Sequence, residues 1–185
     1  KLAEKIWPER KDMAKKLIML IPHSPVTTSA GRFFDAMSAL TGVRDTITYD
    51  GQGAIEFEAL SRGSGTMPFE HFIDKGLVML DWRPALDWTV QSLGKMDVSR
   101  IGAAFNMGLS RIITDICREI ALQNQLEHVA LSGGVWQNKR LVALTRSMLK
   151  QARLKPLIHQ TLSPNDECVS VGQAAVGAAC WAKRA

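Results

Sequence analysis

The sequence predicts an α/β fold, and three observations carry that expectation. The last third of the chain alternates short apolar runs with helical patterns, in the order strand His128–Leu131, helix Val135 to about Gln151, strand Pro156–His159, and helix Glu167 to about Lys183. An order β-α-β-α implies parallel strands with helices packed on the sheet. Upstream, Val98, Ile101, Phe105, Leu109, Ile112, Ile116 and Ile120 recur at intervals of three and four, so one long helix starts at Asp97 with a single apolar stripe. Such a stripe is core packing. Finally, 185 residues that are 46% hydrophobic and 22% charged suit a globular domain long enough to bury a core.

The remaining elements follow in chain order. Pro8 fits the first turn of a helix, Met13, Leu17, Leu20 and Ile21 follow at helical spacing, and Pro22 ends it. The serine, threonine and proline residues of His23–Ser29 read as a loop. Ser29 then caps a helix from Ala30 to about Thr41, with Phe33, Phe34, Met37 and Leu40 on its buried side and Gly42 as terminator. Tyr49–Gly53 is a turn, and a helix runs from Gln52 or Ala54 to Ser61. Beyond the glycine-rich connection Arg62–Pro68, Phe69–Ile73 and Leu77–Leu80 form a hairpin around Asp74-Lys75-Gly76. Arg83-Pro84 opens a helix to about Leu93.

Fully apolar runs such as Leu17–Ile21 are short, so no membrane span or secretory signal is expected. Three cysteines without a CxxC pair argue against a disulfide framework or zinc knuckle and fit a reducing, cytoplasmic setting. Cys168 and Cys180, on a helix of small residues, are expected to be packed thiols. The four histidines are isolated, so no pair of ligands meets on one helical face. A net charge of +5 invites a nucleic-acid reading, but Lys1, Lys5, Arg10, Lys11, Lys15 and Lys16 are interleaved with Glu4, Glu9 and Asp12. That pattern is a mixed-sign helix surface, and nucleic acid is not the expected partner.

Three loci carry potential chemistry. The strand His128–Leu131 runs into Ser132-Gly133-Gly134 and a helix. Two glycines allow a tight turn and close ligand approach, and a helix start beyond them offers free N–H groups to a phosphate. The pattern is neither a Walker loop nor a GxGxxG fingerprint, so nucleotide binding and a plain strand–helix turn both stay open. Ser163-Pro164-Asn165-Asp166 lies past the next strand, where Asp166 either faces the same cleft as a carboxylate for a metal or phosphate, or caps the last helix together with Asn165. Gly31 and Asp35 lie four apart on one helix face, and Glu56 follows the Asp50-Gly51-Gln52 turn. Taken singly, Asp35 and Glu56 read as solvated helix positions. No residue is an evident nucleophile or general base.

Taken in order, these blocks are specific. Thr28-Ser29-Ala30-Gly31-Arg32-Phe33-Phe34-Asp35-Ala36, Tyr49-Asp50-Gly51-Gln52 with Glu56, Leu131-Ser132-Gly133-Gly134-Val135-Trp136-Gln137-Asn138, Pro164-Asn165-Asp166 and Gly172-Gln173-Ala174 together resemble the carbamoyltransferases of [NiFe]-hydrogenase maturation, the HypF family. The resemblance runs from about Ser24 to the C-terminus. It implies one lobe of an actin/Hsp70/sugar-kinase type of fold: residues 1–23 as an N-terminal helix and lobe connection, and 24–185 as the C-terminal lobe of a Kae1-like nucleotide-binding domain. The chain starts at Lys1 without a methionine, and a fragment with an incomplete active site is expected.

The resemblance further implies a parent enzyme that uses ATP with Mg²⁺ and carbamoyl phosphate to form a carbamoyl-adenylate. The carbamoyl group then passes to the C-terminal cysteine of the partner maturation protein HypE, as precursor of a cyanide ligand. Gly133 and Gly134 would border the adenine and α-phosphate side with Asn138 behind them. Gly31, Asp35, Gly51 and Glu56 would line the ribose and adenine pocket. Asp166 would complete a divalent iron or zinc site with histidines from the first lobe. Two departures stand out: Asn165-Asp166-Glu167-Cys168 replaces the family's Asn-Asp-Gly-Gly, and Phe105-Asn106 replaces its Phe-His step. The alternatives of the same fold are a threonylcarbamoyl transferase for tRNA adenosine and a non-catalytic docking lobe.

Overall fold

The computed structural model describes residues 11–182. The segment 1–10, with Pro8 and most of the mixed-sign stretch, and the end of the last helix at Lys183 lie outside the described residues. Seven α-helices are described: α1 (Lys11–Leu20), α2 (Ala30–Leu40), α3 (Gln52–Leu60), α4 (Arg83–Ser92), α5 (Val98–Asn124), α6 (Lys139–Gln151) and α7 (Val169–Ala182). Strands β1 (Glu70–Asp74) and β2 (Leu77–Asp81) pair antiparallel, and β3 (His128–Leu131) and β4 (Lys155–Ile158) pair parallel. Among the described residues no helix is long and apolar enough to cross a membrane.

Local chemistry sets most boundaries. The Ser29 hydroxyl accepts from the Arg32 N–H at 3.4 Å and starts α2. Gly42, with φ 77°, follows its end. Relative to the expected hairpin, β1 is shifted one residue later, to Glu70–Asp74, and β2 runs one residue longer, to Asp81. Lys75 (φ 47°) and Gly76 (φ 80°) are both left-handed, so the turn is two residues long and Asp74 pairs directly with Leu77. The expected helix over 135–151 is broken: a 3₁₀ turn spans Gly134–Gln137, and Asn138 then caps α6, its Oδ1 accepting from Leu141 N–H at 2.8 Å. A second 3₁₀ turn, Asp166–Cys168, likewise precedes α7.

Helix α5 is the spine, and its first half is buried all round rather than along one stripe. Ile101 through Asn106 and Gly108 through Ser110 are all buried. The small residues on its second face make this possible. A Cβ on Gly102 would sit 2.3 Å from Ser61 Oγ, and one on Gly108 would sit 2.1 Å from the Met67 carbonyl oxygen. At the far end the stripe leaves the core, with Ile120 40% exposed. Phe105 is fully buried at the centre, its ring 4.8 Å from Phe34, 5.4 Å from Phe33, 5.7 Å from Phe57 and 5.9 Å from Phe69. These contacts clamp α2 and α3 onto the spine.

A smaller cluster, Ala121, Leu131, Leu149 and Leu154, joins the far end of α5 to β3, α6 and β4. The parallel register runs from His128 opposite Lys155 to Leu131 opposite Ile158, so both strands deliver their following loops to one edge. Helix α7 buries none of its residues, and Cys180 is exposed. The expected packed thiol at Cys180 is therefore incorrect: every residue of α7 is exposed among the described residues. Cys168 is half-buried.

Candidate functional site

A cleft of about 1320 Å³ lies between two walls. One wall is α2 with α3; the other is the loop after β3 with the start of α6, joined by Asp166 from the loop after β4. Ligands in open α/β sheets bind at the carboxyl ends of the strands, which is where the second wall sits.

The two post-strand loops are stitched together. Gly133 N–H donates to the Pro164 carbonyl at 2.7 Å, and Gln137 Nε2 donates to Ser163 Oγ at 3.4 Å. Ser132 Oγ lies 3.2 Å from His159 Nε2. Gly133 needs its glycine, since φ is 104°. Asn165 caps the following 3₁₀ turn through Glu167 N–H at 3.1 Å. That leaves the Asp166 carboxylate on the cleft lining without a hydrogen bond or ion pair among the described residues.

Six of the eight residues singled out from the sequence line this cleft: Gly31, Asp35, Gly51, Gly134, Asn138 and Asp166. Gly133 lies behind the lining, turned into its bond with Pro164. Glu56 is also off the lining. Its carboxylate takes two 2.8 Å bonds from Arg44 and one of 2.9 Å from Gln52, and the Arg44 guanidinium holds its pKa below the usual glutamate value. Gln52 in turn accepts from Thr48 N–H at 2.8 Å, so this group fixes the turn that precedes α3.

Charges of both signs face the opening. Arg32 bridges Asp50 at 2.8 Å and Asp35 at 3.3 Å. Asp35 Oδ1 is nevertheless buried with no hydrogen-bond partner, as is Arg140 Nε, and both residues line the cleft. Asp35 Oδ1 faces inward, beside Gly53 and Ser38, so the groups open to a ligand are the rest of the lining, whose arginines, carboxylates and backbone suit a polar ligand such as a nucleotide. No group of three His, Cys, Asp or Glu side chains gathers among the described residues, so a metal held by Asp166 would need ligands from outside them. Asp166 alone does not make a metal site.

Sequence reasoning missed Arg140 and Glu58. Arg140 donates from its backbone N–H to Glu58 Oε1 at 3.1 Å and from its guanidinium to the Ser61 and Gly63 carbonyls at 3.1 and 3.0 Å. The partners stand about eighty residues apart in sequence, and no spacing rule links them. Asn106, at the departure from Phe-His, is fully buried. It donates to the Gly102 carbonyl at 2.8 Å and accepts from Asn138 Nδ2 at 3.2 Å, tying the spine to the second wall.

The family model described as the carbamoyltransferase, Kae1-like domain, second subdomain, matches residues 1–173. The chain is similar to the carbamoyltransferase HypF of Synechocystis sp., 33% identical over 153 residues, covering 81% of this chain and 19% of that protein. It is similar to HypF of Rhizobium leguminosarum bv. viciae, 32% identical over 177 residues, covering 94% and 23% respectively. The solved structure of full-length HypF in its phosphate- and nucleotide-bound form superposes with a TM-score of 0.74 at 29% identity, covering 80% of this chain and 20% of that one. T. kodakarensis HypF superposes with a TM-score of 0.69 at 25% identity, covering 80% and 19%. The chain thus spans about a fifth of the length of these relatives. With the sequence match running over most of its length and the same α/β lobe in solved relatives, the chain belongs to the HypF carbamoyltransferase family, as the second subdomain of the Kae1-like domain.

Proposed function

We propose that this chain supplies one side of the nucleotide cleft of a carbamoyltransferase acting in hydrogenase maturation. The observation that carries the reading is the pair of post-strand loops held together by the Gly133–Pro164 bond, which sets Gly134 and an uncommitted Asp166 opposite Gly31, Asp35 and Gly51. In this proposal ATP lies across the cleft. The Asp35 carboxylate accepts from ribose hydroxyls through the oxygen that faces Arg32, while Gly134 leaves room for close approach on the phosphate side. Asn138 stands at the start of α6, where the positive end of the helix dipole favours negative charge, with the Arg140 and Leu141 N–H groups already held by Glu58 and Asn138.

The full-length protein, in the same proposal, takes carbamoyl phosphate and ATP to a carbamoyl-adenylate and passes the carbamoyl group to a cysteine of HypE, in the cytoplasm. This chain's contribution is positional and electrostatic. A divalent metal would polarise the transferring carbonyl, with Asp166 as one ligand and histidines outside this chain as the others. The described residues do not enclose a metal on their own.

The test is Asp166→Ala in the full-length protein. Carbamoyl transfer to the acceptor cysteine should be abolished. The side chain is exposed and makes no bond within the described residues, so stability should shift by no more than about 0.5 kcal/mol. Surviving activity refutes the assigned role. A non-catalytic lobe predicts instead that ATP with Mg²⁺ leaves the thermal midpoint unchanged.

A further inference from the structure

The geometry points to Arg140 as the positioning residue that fixes the width of the cleft. It is the second residue of α6, two positions after Asn138, and so moves with the Gly134–Asn138 wall. Three of its donors end on the opposite wall: the backbone N–H on Glu58 Oε1, and the two guanidinium nitrogens on the carbonyls of Ser61 and Gly63. Glu58 is in the last turn of α3, and Ser61 is its C-cap. The strap therefore joins the two walls directly.

Its chemistry suits the place. The last carbonyls of a helix and the residue just past it have no helical N–H to pair with, and they form the negative end of the helix dipole. A guanidinium supplies both donors and positive charge there. Ser61 is only 5% exposed, so water competes poorly for its carbonyl. The two acceptors are two residues apart, and a planar fork bridges them from one side chain; a lysine ammonium is a point donor and does not span both in this geometry. Below the strap, the Asn138–Asn106 bond anchors the same wall to buried α5. With the base pinned by Asn106 and the rim by Arg140, the loop behind Gly134 has one spacing from Gly31, Asp35 and Gly51.

This inference rests on the nucleotide-cleft reading, because the spacing matters only if one ligand spans both walls. Displacements near 1 Å at a binding wall change rates and affinities on the order of a hundredfold. In the full-length protein, Arg140→Ala should raise KM for ATP by roughly ten- to a hundredfold, with kcat at saturating ATP falling much less. Arg140→Lys keeps the charge and loses the fork, and should show most of the same rise.

Hydrogen exchange without nucleotide adds an independent readout: residues 132–138 should exchange faster in Arg140→Ala than in the wild type. An unchanged KM in Arg140→Ala, or a KM restored by lysine, overturns the proposal. If Arg140→Ala does not fold, Arg140→Lys carries the KM test. If the wild type binds no ATP, the cleft reading fails and exchange alone decides: faster exchange at 132–138 upholds the strap, and unchanged exchange rejects it.

Discussion

Phe105→Ala is the substitution that most directly tests how the fold holds its cleft. The ring is fully buried and faces four other phenylalanines at centroid distances of 4.8 to 5.9 Å, from both α2 and α3 and from the segment before β1. Truncating a buried phenylalanine costs about 3–5 kcal/mol from lost transfer energy and the cavity left behind. The upper half of that range applies here, because α5 is closely walled: Gly102 abuts the Ser61 side chain and Gly108 the Met67 backbone, so the site has little room to collapse. Each aromatic pair adds about 0.5–1.5 kcal/mol beyond area, although four pairs sharing one ring do not add independently. Phe105→Leu keeps most of the volume and loses the ring contacts, so it should cost about 1–2 kcal/mol. Against a domain stability of about 5–15 kcal/mol, the alanine variant loses about a quarter or more. Equilibrium urea unfolding followed by tryptophan fluorescence reads this, since the half-buried Trp88 and Trp136 pack on the same core. A loss below about 1.5 kcal/mol for alanine, or equal losses for alanine and leucine, would refute the hub role of Phe105.

Two further outcomes are expected. Because Arg44 and Gln52 hold the Glu56 carboxyl below its ordinary pKa, the ion pair contributes stability at neutral pH that is fully present above the unfolded value and is lost as pH falls through the lower folded value. An NMR titration should place the Glu56 midpoint below that of an exposed glutamate, and Arg44→Ala should move it back up; a normal midpoint in the wild type rejects the pair. Among the cysteines, Cys180 is exposed, while burial raises the Cys117 thiol pKa. Iodoacetamide at mildly alkaline pH should therefore alkylate Cys180 first and Cys117 last, as read by peptide mass spectrometry. Equal labelling rates contradict this burial.

Elements whose cause is local were readable in the sequence. Ser29 as a cap, Gly42 as a terminator, the Lys75-Gly76 turn and the β-α-β-α order each follow from a few neighbouring residues. Periodicity was less informative where two states share it. The apolar pattern continues through Gly134–Gln137, so only the capping bond of Asn138 shows that α6 starts at Lys139. In α5 the stripe was visible, but the buried second face consists of glycine, alanine and serine, which carry little hydropathy and act by letting neighbours approach. Within the site, the glycine turn and Asp166 were legible because strand ends and turn residues mark them. Arg140 was not, since its partners Glu58, Ser61 and Gly63 meet it only through the tertiary fold. Glu56 shows the reverse case: the family resemblance implied the pocket, and Arg44 from the preceding loop directs its carboxylate elsewhere.

The near-contact of Gly102 with Ser61 and of Gly108 with Met67 has a consequence for how this lobe diversifies. At Gly102 a methyl group meets the Ser61 hydroxyl, a side chain that can turn away, but at Gly108 it meets the Met67 backbone at a distance no carbon tolerates, so a lineage cannot acquire alanine at 108 one step at a time. The segment must shift first, and it carries the Ser61 and Gly63 carbonyls on which Arg140 closes. Helix and connection are thus inherited as a linked pair: a change neutral in one background is destabilising in another. Across relatives, substitutions at 108 should travel with changes at 61–67 and be rare without them.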